Sequence, residues 1–212
     1  MARSDRKQRE FERREREIVE AAHALFKQGD IHAVTIEQIA EAADIGKGTV
    51  YKHFQSKDEI YARIIIQLNR AMRADIAAID NDLPFRKRLD RIIEVIWEHD
   101  MRDSQFLRRL NIHVMTGNFR QNLGPEMLAA MQSMQQEDGE FYLQLLAEAQ
   151  QRGEIVEAPL EELLFCASSA IDGAILKYWF MESGGDVTAA DSQRFLRHLQ
   201  DFVYRALTGR NN

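Results

Sequence analysis

An all-helical fold follows from three features of this 212-residue chain: only three prolines, apolar residues at helical spacing through the long intervals between them, and no useful stretch that alternates apolar with polar. Pro84, Pro125 and Pro159 each stand where a helix can begin, because the missing N–H costs nothing at the first helical position. The first helix is expected over about 11–28, burying Ile18, Val19, Ala22, Leu25 and Phe26, with Gly29 as its left-handed cap. A short second helix starts at Thr35, whose hydroxyl can cap it while Gln38 reaches back. Its apolar stripe is Ile36, Ile39, Ala40 and Ala43, and Asp44-Ile45-Gly46 turns the chain into a third short helix over 47–54. Ser56 and Glu59 read as another capping box, opening a helix that reaches about Ile79. Further helices are expected over 84–102, 104–116, 125–152, 159–181 and 188–207, joined by short loops at 81–82, 117–124, 153 and 184–185. The expected division is an arm and three-helix domain over 1–57, then a second helical domain over 58–212, with helix 58–79 as connector.

Composition narrows the function classes. The single Cys166 excludes an internal disulfide, and neither CxxC nor HExxH occurs, so no metal and no cofactor are expected. Residues 1–17 are charged with both signs and lack the apolar core of a secretory signal. The stretch 163–181 approaches the length of a membrane span but is interrupted by Ser168, Ser169, Asp172 and Lys177, so burial among protein helices and a cytoplasmic location are expected. The net charge of −6 is unevenly spread: residues 1–57 hold 11 Lys+Arg against 10 Asp+Glu, and the remainder 17 against 24. A near-neutral front and an acidic back orient the front toward phosphate.

In the third helix Val50 and Phe54 point inward, while Thr49, Lys52 and His53 share an outward face that is small, polar and basic. Two short helices joined by a tight turn, the second exposing hydrogen-bonding groups, suit a major groove about 12 Å wide. Gly46 and Gly48 leave room for backbone to approach phosphate. The Gly46-x-Gly48 pair is not a dinucleotide fingerprint, since no strand precedes it and Tyr51 stands at the third glycine position.

The segments Thr35-Ile36-Glu37-Gln38-Ile39-Ala40, Ala43-Asp44-Ile45-Gly46-Lys47-Gly48-Thr49-Val50-Tyr51-Lys52-His53-Phe54 and Ser56-Lys57-Asp58-Glu59 closely resemble the TetR family of regulators, over about residues 11–65. The resemblance implies that Thr35 caps the second helix and touches the DNA backbone. It also implies that Tyr51 and Lys57 grip phosphates, and that Lys47, Gly48, Thr49, Lys52 and His53 lie in or beside the groove. Arg3, Arg6, Lys7 and Arg9 are either an arm adding phosphate contacts or a solvated helix end, diluted by Asp5, Glu10 and Glu12.

The run 163–181 is apolar around most of its circumference, so a helix there needs cover on two sides. Ala167, Ala170, Ile171, Gly173, Ala174 and Tyr178 on it, with Phe195, Leu199, Phe202 and Val203 on the last helix, are the expected homodimer interface; the family resemblance implies a four-helix contact there. The same resemblance places a ligand cavity among the middle helices. Trp97, Phe106, His113, Met115, Phe119, Met127, Met131, Met134, Phe141 and Phe165 are its candidate lining, and His113, Asp172 and Tyr178 its candidate polar anchors. Plain core packing is the competing role for each. The expected function is a DNA-binding transcriptional regulator, not an enzyme: a repressor of a palindromic operator in double-stranded DNA, released by a small hydrophobic effector. A protein partner in place of that effector, or a helical enzyme, are the alternatives.

Overall fold

The computed structural model describes residues 2–116 and 118–209, and among these no strand occurs. Met1, the expected loop-opening Gly117 and residues 210–212 lie outside the described residues, as does the side chain of Arg3. The helices are α1 (Ala2–Gln28), α2 (Ile36–Ala42), α3 (Lys47–His53), α4 (Lys57–Ala77), α5 (Phe85–Arg102), α6 (Ser104–Thr116), α7 (Pro125–Gln151), α8 (Leu160–Gly184) and α9 (Ala189–Thr208). A single 3-10 turn, Phe119–Asn122, stands inside the expected loop between α6 and α7.

The largest departure from expectation is α1, which begins nine residues early. Its first turns have no apolar stripe to bury, and the helix is carried there by good helix formers and local pairs. Gln8 bonds Glu12 at 3.0 Å, and Arg13 pairs with Glu10 at 3.2 Å and Glu17 at 2.7 Å. Each such pair contributes only about 0.2–0.5 kcal/mol, so periodicity gave no sign of them.

The chain packs into two compact units: residues 1–68 with 105–132, and residues 69–104 with 133–212. The boundary therefore falls inside α4 and not at its start, because the first turns of α4 complete the core of the N-terminal helices. In the first unit Ile18, Val19, Ala22, Phe26, Ile39, Val50, Phe54, Ile60 and Tyr61 are buried together. Phe106 of α6 stacks on Phe26 at 6.4 Å between ring centroids, and Phe26 meets Tyr61 at 4.6 Å.

In the second unit α5, α8 and α9 pack on one another. Arg86 ties α5 to Asp201 of α9 at 2.6 Å, and Arg73 of α4 reaches Glu137 and Asp138 of α7 at 2.7 and 2.9 Å. Gly185 ends α8 in the left-handed conformation at φ +78°, and Thr188 with Asp191 forms the capping box of α9. Among the described residues α8 alone is long and apolar enough to cross a membrane, by length and composition.

One packing detail is directly testable. The Gly124 amide donates to Glu59 Oε1 at 2.9 Å, and a Cβ at Gly124 would stand 2.9 Å from both that oxygen and Gln55 Nε2. Since Glu59 is buried and already bonded, it cannot swing away freely. Gly124→Ala is expected to lower stability by about 1–3 kcal/mol in a denaturation curve.

Candidate nucleic-acid interface and ligand cavity

The helix-turn-helix is fixed by backbone capping before any ligand is considered. Thr35 Oγ1 accepts from the Gln38 amide at 3.2 Å, and the Thr35 amide donates to Gln38 Oε1 at 2.9 Å, which closes both sides of the expected box. The turn into α3 uses a left-handed residue at Asp44 (φ +52°) and not at Gly46, whose φ of −75° is ordinary. Asp tolerates that conformation better than most side chains. The Ile45 amide then closes the turn on the Ala40 carbonyl at 2.9 Å.

On α3, Val50 faces inward, while Lys47, Gly48, Tyr51 and Lys52 are exposed and Thr49 is half-buried. Tyr51 is 49% exposed with its ring under the Lys47 ammonium, 5.7 Å from the centroid. Lys47 also pairs with Glu37 of α2, which raises the lysine and lowers the carboxylate. Both partners are fully solvated, so the pair is easily exchanged for phosphate.

Two of the expected DNA contacts engage the protein itself. His53 stacks on Phe11 of α1 with ring centroids 4.0 Å apart, and its Nδ1 is buried without a partner. Burial lowers its pKa, so it brings no positive charge to the outer face at neutral pH. Lys57 spends its three ammonium donors on the carbonyls of Ile31, His32 and Val34, at 3.0, 3.1 and 2.9 Å. It is a tie across the turn before α2, and burial lowers its pKa.

The second unit holds a cavity of about 290 Å³ between the end of α4, α5, α7, α8 and α9. Its walls are apolar, with Ile92, Ile93 and Ile96 of α5 facing Leu145, Leu146 and Leu164, and it also holds Asp100, Asp172, Tyr142, Asn69 and Arg88. Burial, and after it Asp172, push the Asp100 carboxyl up to about 7; partial desolvation also raises Asp172, which is itself solvent-exposed.

None of the expected lining residues borders this cavity. Phe106, Phe119 and Met127 are buried in the first unit, where His113 bonds Asp58 Oδ1 at 2.6 Å. Met131 is half-buried there as well. Trp97 is buried with its indole N–H on Ser192 Oγ at 3.0 Å, Met134 is buried, and Phe141 packs on Tyr142. Met115 and Phe165 are 72% and 71% exposed. Aromatic and Met spacing identifies a buried stripe but not which stripe borders empty space. Of the three expected anchors only Asp172 reaches the cavity.

The expected dimer residues divide into two sets. Ala167, Ile171 and Val203 line the cavity instead of the surface, because α8 and α9 turn that stripe toward α5. Ala170, Ala174, Tyr178, Phe195, Leu199 and Phe202 line an open apolar groove between α8 and α9, with Phe202 62% exposed.

The profile described as "Bacterial regulatory proteins, tetR family" matches residues 18–64, which run from the second half of α1 into α4. Over that segment the chain is similar to the TetR family. It is 36% identical over 87 residues to the uncharacterized HTH-type transcriptional regulator YhgD of Bacillus subtilis, a match covering 40% of this chain and 45% of that one. It is 27% identical over 138 residues to the HTH-type transcriptional regulator UidR of Escherichia coli K12, covering 65% of this chain and 67% of that protein. In fold it is similar to the fatty acid degradation regulator FadR from Bacillus halodurans, with a TM-score of 0.70 at 14% identity, covering 90% and 94% of the two chains. The regulator PfmR from Thermus thermophilus gives a TM-score of 0.65 at 19% identity, covering 89% and 97%.

What residue-type reasoning missed is Asp100. The signal was present, since Asp100 continues the apolar stripe Leu89, Ile92, Ile93 and Ile96 of α5, and a carboxylate on such a stripe needs a reason. Its elevated pKa gives a signed prediction. Between about pH 4, where Asp titrates in the unfolded chain, and pH 7, the unfolded state has lost a proton that the folded state keeps. Stability contributed by this group therefore falls as pH rises through that window. Asp100→Asn is expected to stabilise the protein increasingly from pH 4 to 7 and by a constant amount above it, about 1–2 kcal/mol after solvent screening. Lys57→Met should lower stability at every pH by about 1–3 kcal/mol, by stranding three carbonyls. Thermal melts of both variants across pH 4–9 measure these effects.

Proposed function

We propose that this TetR-family chain acts as a cytoplasmic, homodimeric repressor that holds a palindromic operator through α3 and releases it when a small molecule fills the cavity of the second unit. The observation that carries the reading is the exposed face of α3, where Tyr51, Lys52 and Gly48 stand free of the core on a helix locked by the Thr35–Gln38 box. Thr35 and Tyr51 hydroxyls suit phosphate oxygens and set register, whereas Lys52 and Thr49 suit base edges.

A seven-residue helix is about 10 Å long at ~1.5 Å per residue, so it passes only about three base pairs. Two linked copies raise affinity by effective concentration, which favours an inverted repeat. The groove lined by Ala170, Ala174, Phe195 and Phe202 supports a second copy there, since its small residues admit a partner helix and Phe202 offers an anchor. An effector must bind the released conformation more tightly than the operator-bound one; a coupling of ~1–3 kcal/mol weakens DNA binding about 5- to 150-fold. The helix α4 runs through both units and is the covalent route for that coupling.

Selection of bound duplexes from a random pool by the purified protein tests the reading. An inverted repeat supports it, and equal retention of all duplexes rejects it. On the selected site, Lys52→Ala should relax preference at particular bases, while Tyr51→Phe should weaken every sequence alike. Phe202→Glu should yield monomers in sedimentation and lose at least a hundredfold in operator affinity.

A further inference from the structure

The cavity of the second unit carries an electrostatic asymmetry that an apolar effector does not explain. Arg88 and Asp100 both line it and stand twelve residues apart on α5, about 18 Å at ~1.5 Å of rise per residue. At the first end the charge is already matched, since Arg88 donates to Glu154 Oε2 at 3.1 Å and to the Asn81 carbonyl at 3.4 Å. At the other end Asp100 and Asp172 have no hydrogen bond or ion pair among the described residues. Asp100 is half-buried and Asp172 stands exposed at the cavity's edge, and two carboxylates that oppose each other's ionisation beside an apolar wall favour a cationic guest over a neutral or anionic one.

Resting on the effector reading above, the geometry points to a lipophilic ammonium ion as the occupant, with its positive head beside Asp100 and Asp172 and its apolar body along Ile92, Ile96, Leu145 and Leu164. Tyr142 lines the same cavity, and both carboxylates act on its hydroxyl. A metal ion does not fit, because a hard divalent cation takes six or more oxygens and no group of three or more His, Cys, Asp or Glu side chains is gathered among the described residues. The volume of about 290 Å³ holds roughly ten groups of water size, at ~30 Å³ each, which sets the scale of the guest at a short alkyl chain or one ring.

Ionisable groups around Asp100 are Asp172 on α8 and Tyr142 on α7, with Asp138 and Arg73 acting on Tyr142 from behind it, and Arg88 at the far end of α5. The residues that α4 and α9 present to the cavity, Asn69, Met72, Val203 and Leu207, do not titrate. Since burial and Asp172 raise Asp100 to about 7, a permanently charged guest binds more tightly as pH rises from 6 to 8 and Asp100 gives up its proton.

The test is calorimetry on the full-length protein with three probes of one chain length: octyltrimethylammonium, octanol and octanoate. At pH 8 the ammonium is expected to bind at least tenfold more tightly than either of the others. Asp100→Asn and Asp172→Asn should each remove tenfold of that affinity while leaving octanol unchanged, and Asp100→Asn should also flatten the dependence on pH between 6 and 8. Equal affinity for octanol and the ammonium, or indifference to both substitutions, overturns the cationic guest but leaves an apolar effector cavity. Preference for octanoate overturns it in favour of an anion at Arg88. Failure of all three probes to bind rejects this cavity as an effector site altogether. Operator release is read separately by fluorescence anisotropy of labelled DNA, so that an ammonium which binds without loosening DNA upholds the site and rejects the effector reading.

Discussion

The first turn of α4 is the constraint on which the DNA-binding unit depends. Within five residues it sends Lys57 and Tyr61 to the carbonyls before α2, with Tyr61 Oη on the Ile31 carbonyl at 2.5 Å. From the same turn Asp58 holds His113 and Asn122, each at 2.6 Å, and Glu59 holds the amides of Gln55 and Gly124 at 2.6 and 2.9 Å. Asp58 and Glu59 are buried, and buried charges of this kind are stable only when such partners are all in place. One helix end thus fixes both the approach to α2 and the position of the α6–α7 connection.

That arrangement has a mechanical consequence. The same helix leaves the first unit after residue 68 and continues as a wall of the cavity through Asn69 and Met72. The polar partners of its near half lie on α6, in the 119–124 connection and in the turn before α2. A buried polar network does not deform gradually, because each bond lost strands a partner.

The helices were legible in the sequence where an apolar stripe or a cap announced them, although Gly29 does not take the left-handed conformation expected of it after α1. Thr35 and Gln38, Thr188 and the glycine after α8 all act as their types predict. The 3-10 turn at 119–122 and the early start of α1 were not legible, since neither buries a regular stripe at its outset. Ser56 and Glu59 show a subtler case. Ser56 Oγ caps the Glu59 amide at 3.2 Å as expected, but the Glu59 carboxylate passes over the cap residue to Gln55 and Gly124, because the 122–124 segment supplies a second donor.

Residue type and spacing alone therefore determined the helical class, the order of the helices, and the helix-turn-helix with its outward Lys52. These are local matters, set by capping, periodicity and turn chemistry within a few residues. Tertiary structure alone decided that Lys57 bonds three carbonyls, that His53 leans on Phe11, that Ile171 and Val203 face a cavity, and that Asp100 and Asp172 both border it. Those partners are brought together by packing between helices distant along the chain. Whether a side chain meets solvent, core or an internal void depends on which neighbour arrives, and no periodicity within one helix records that.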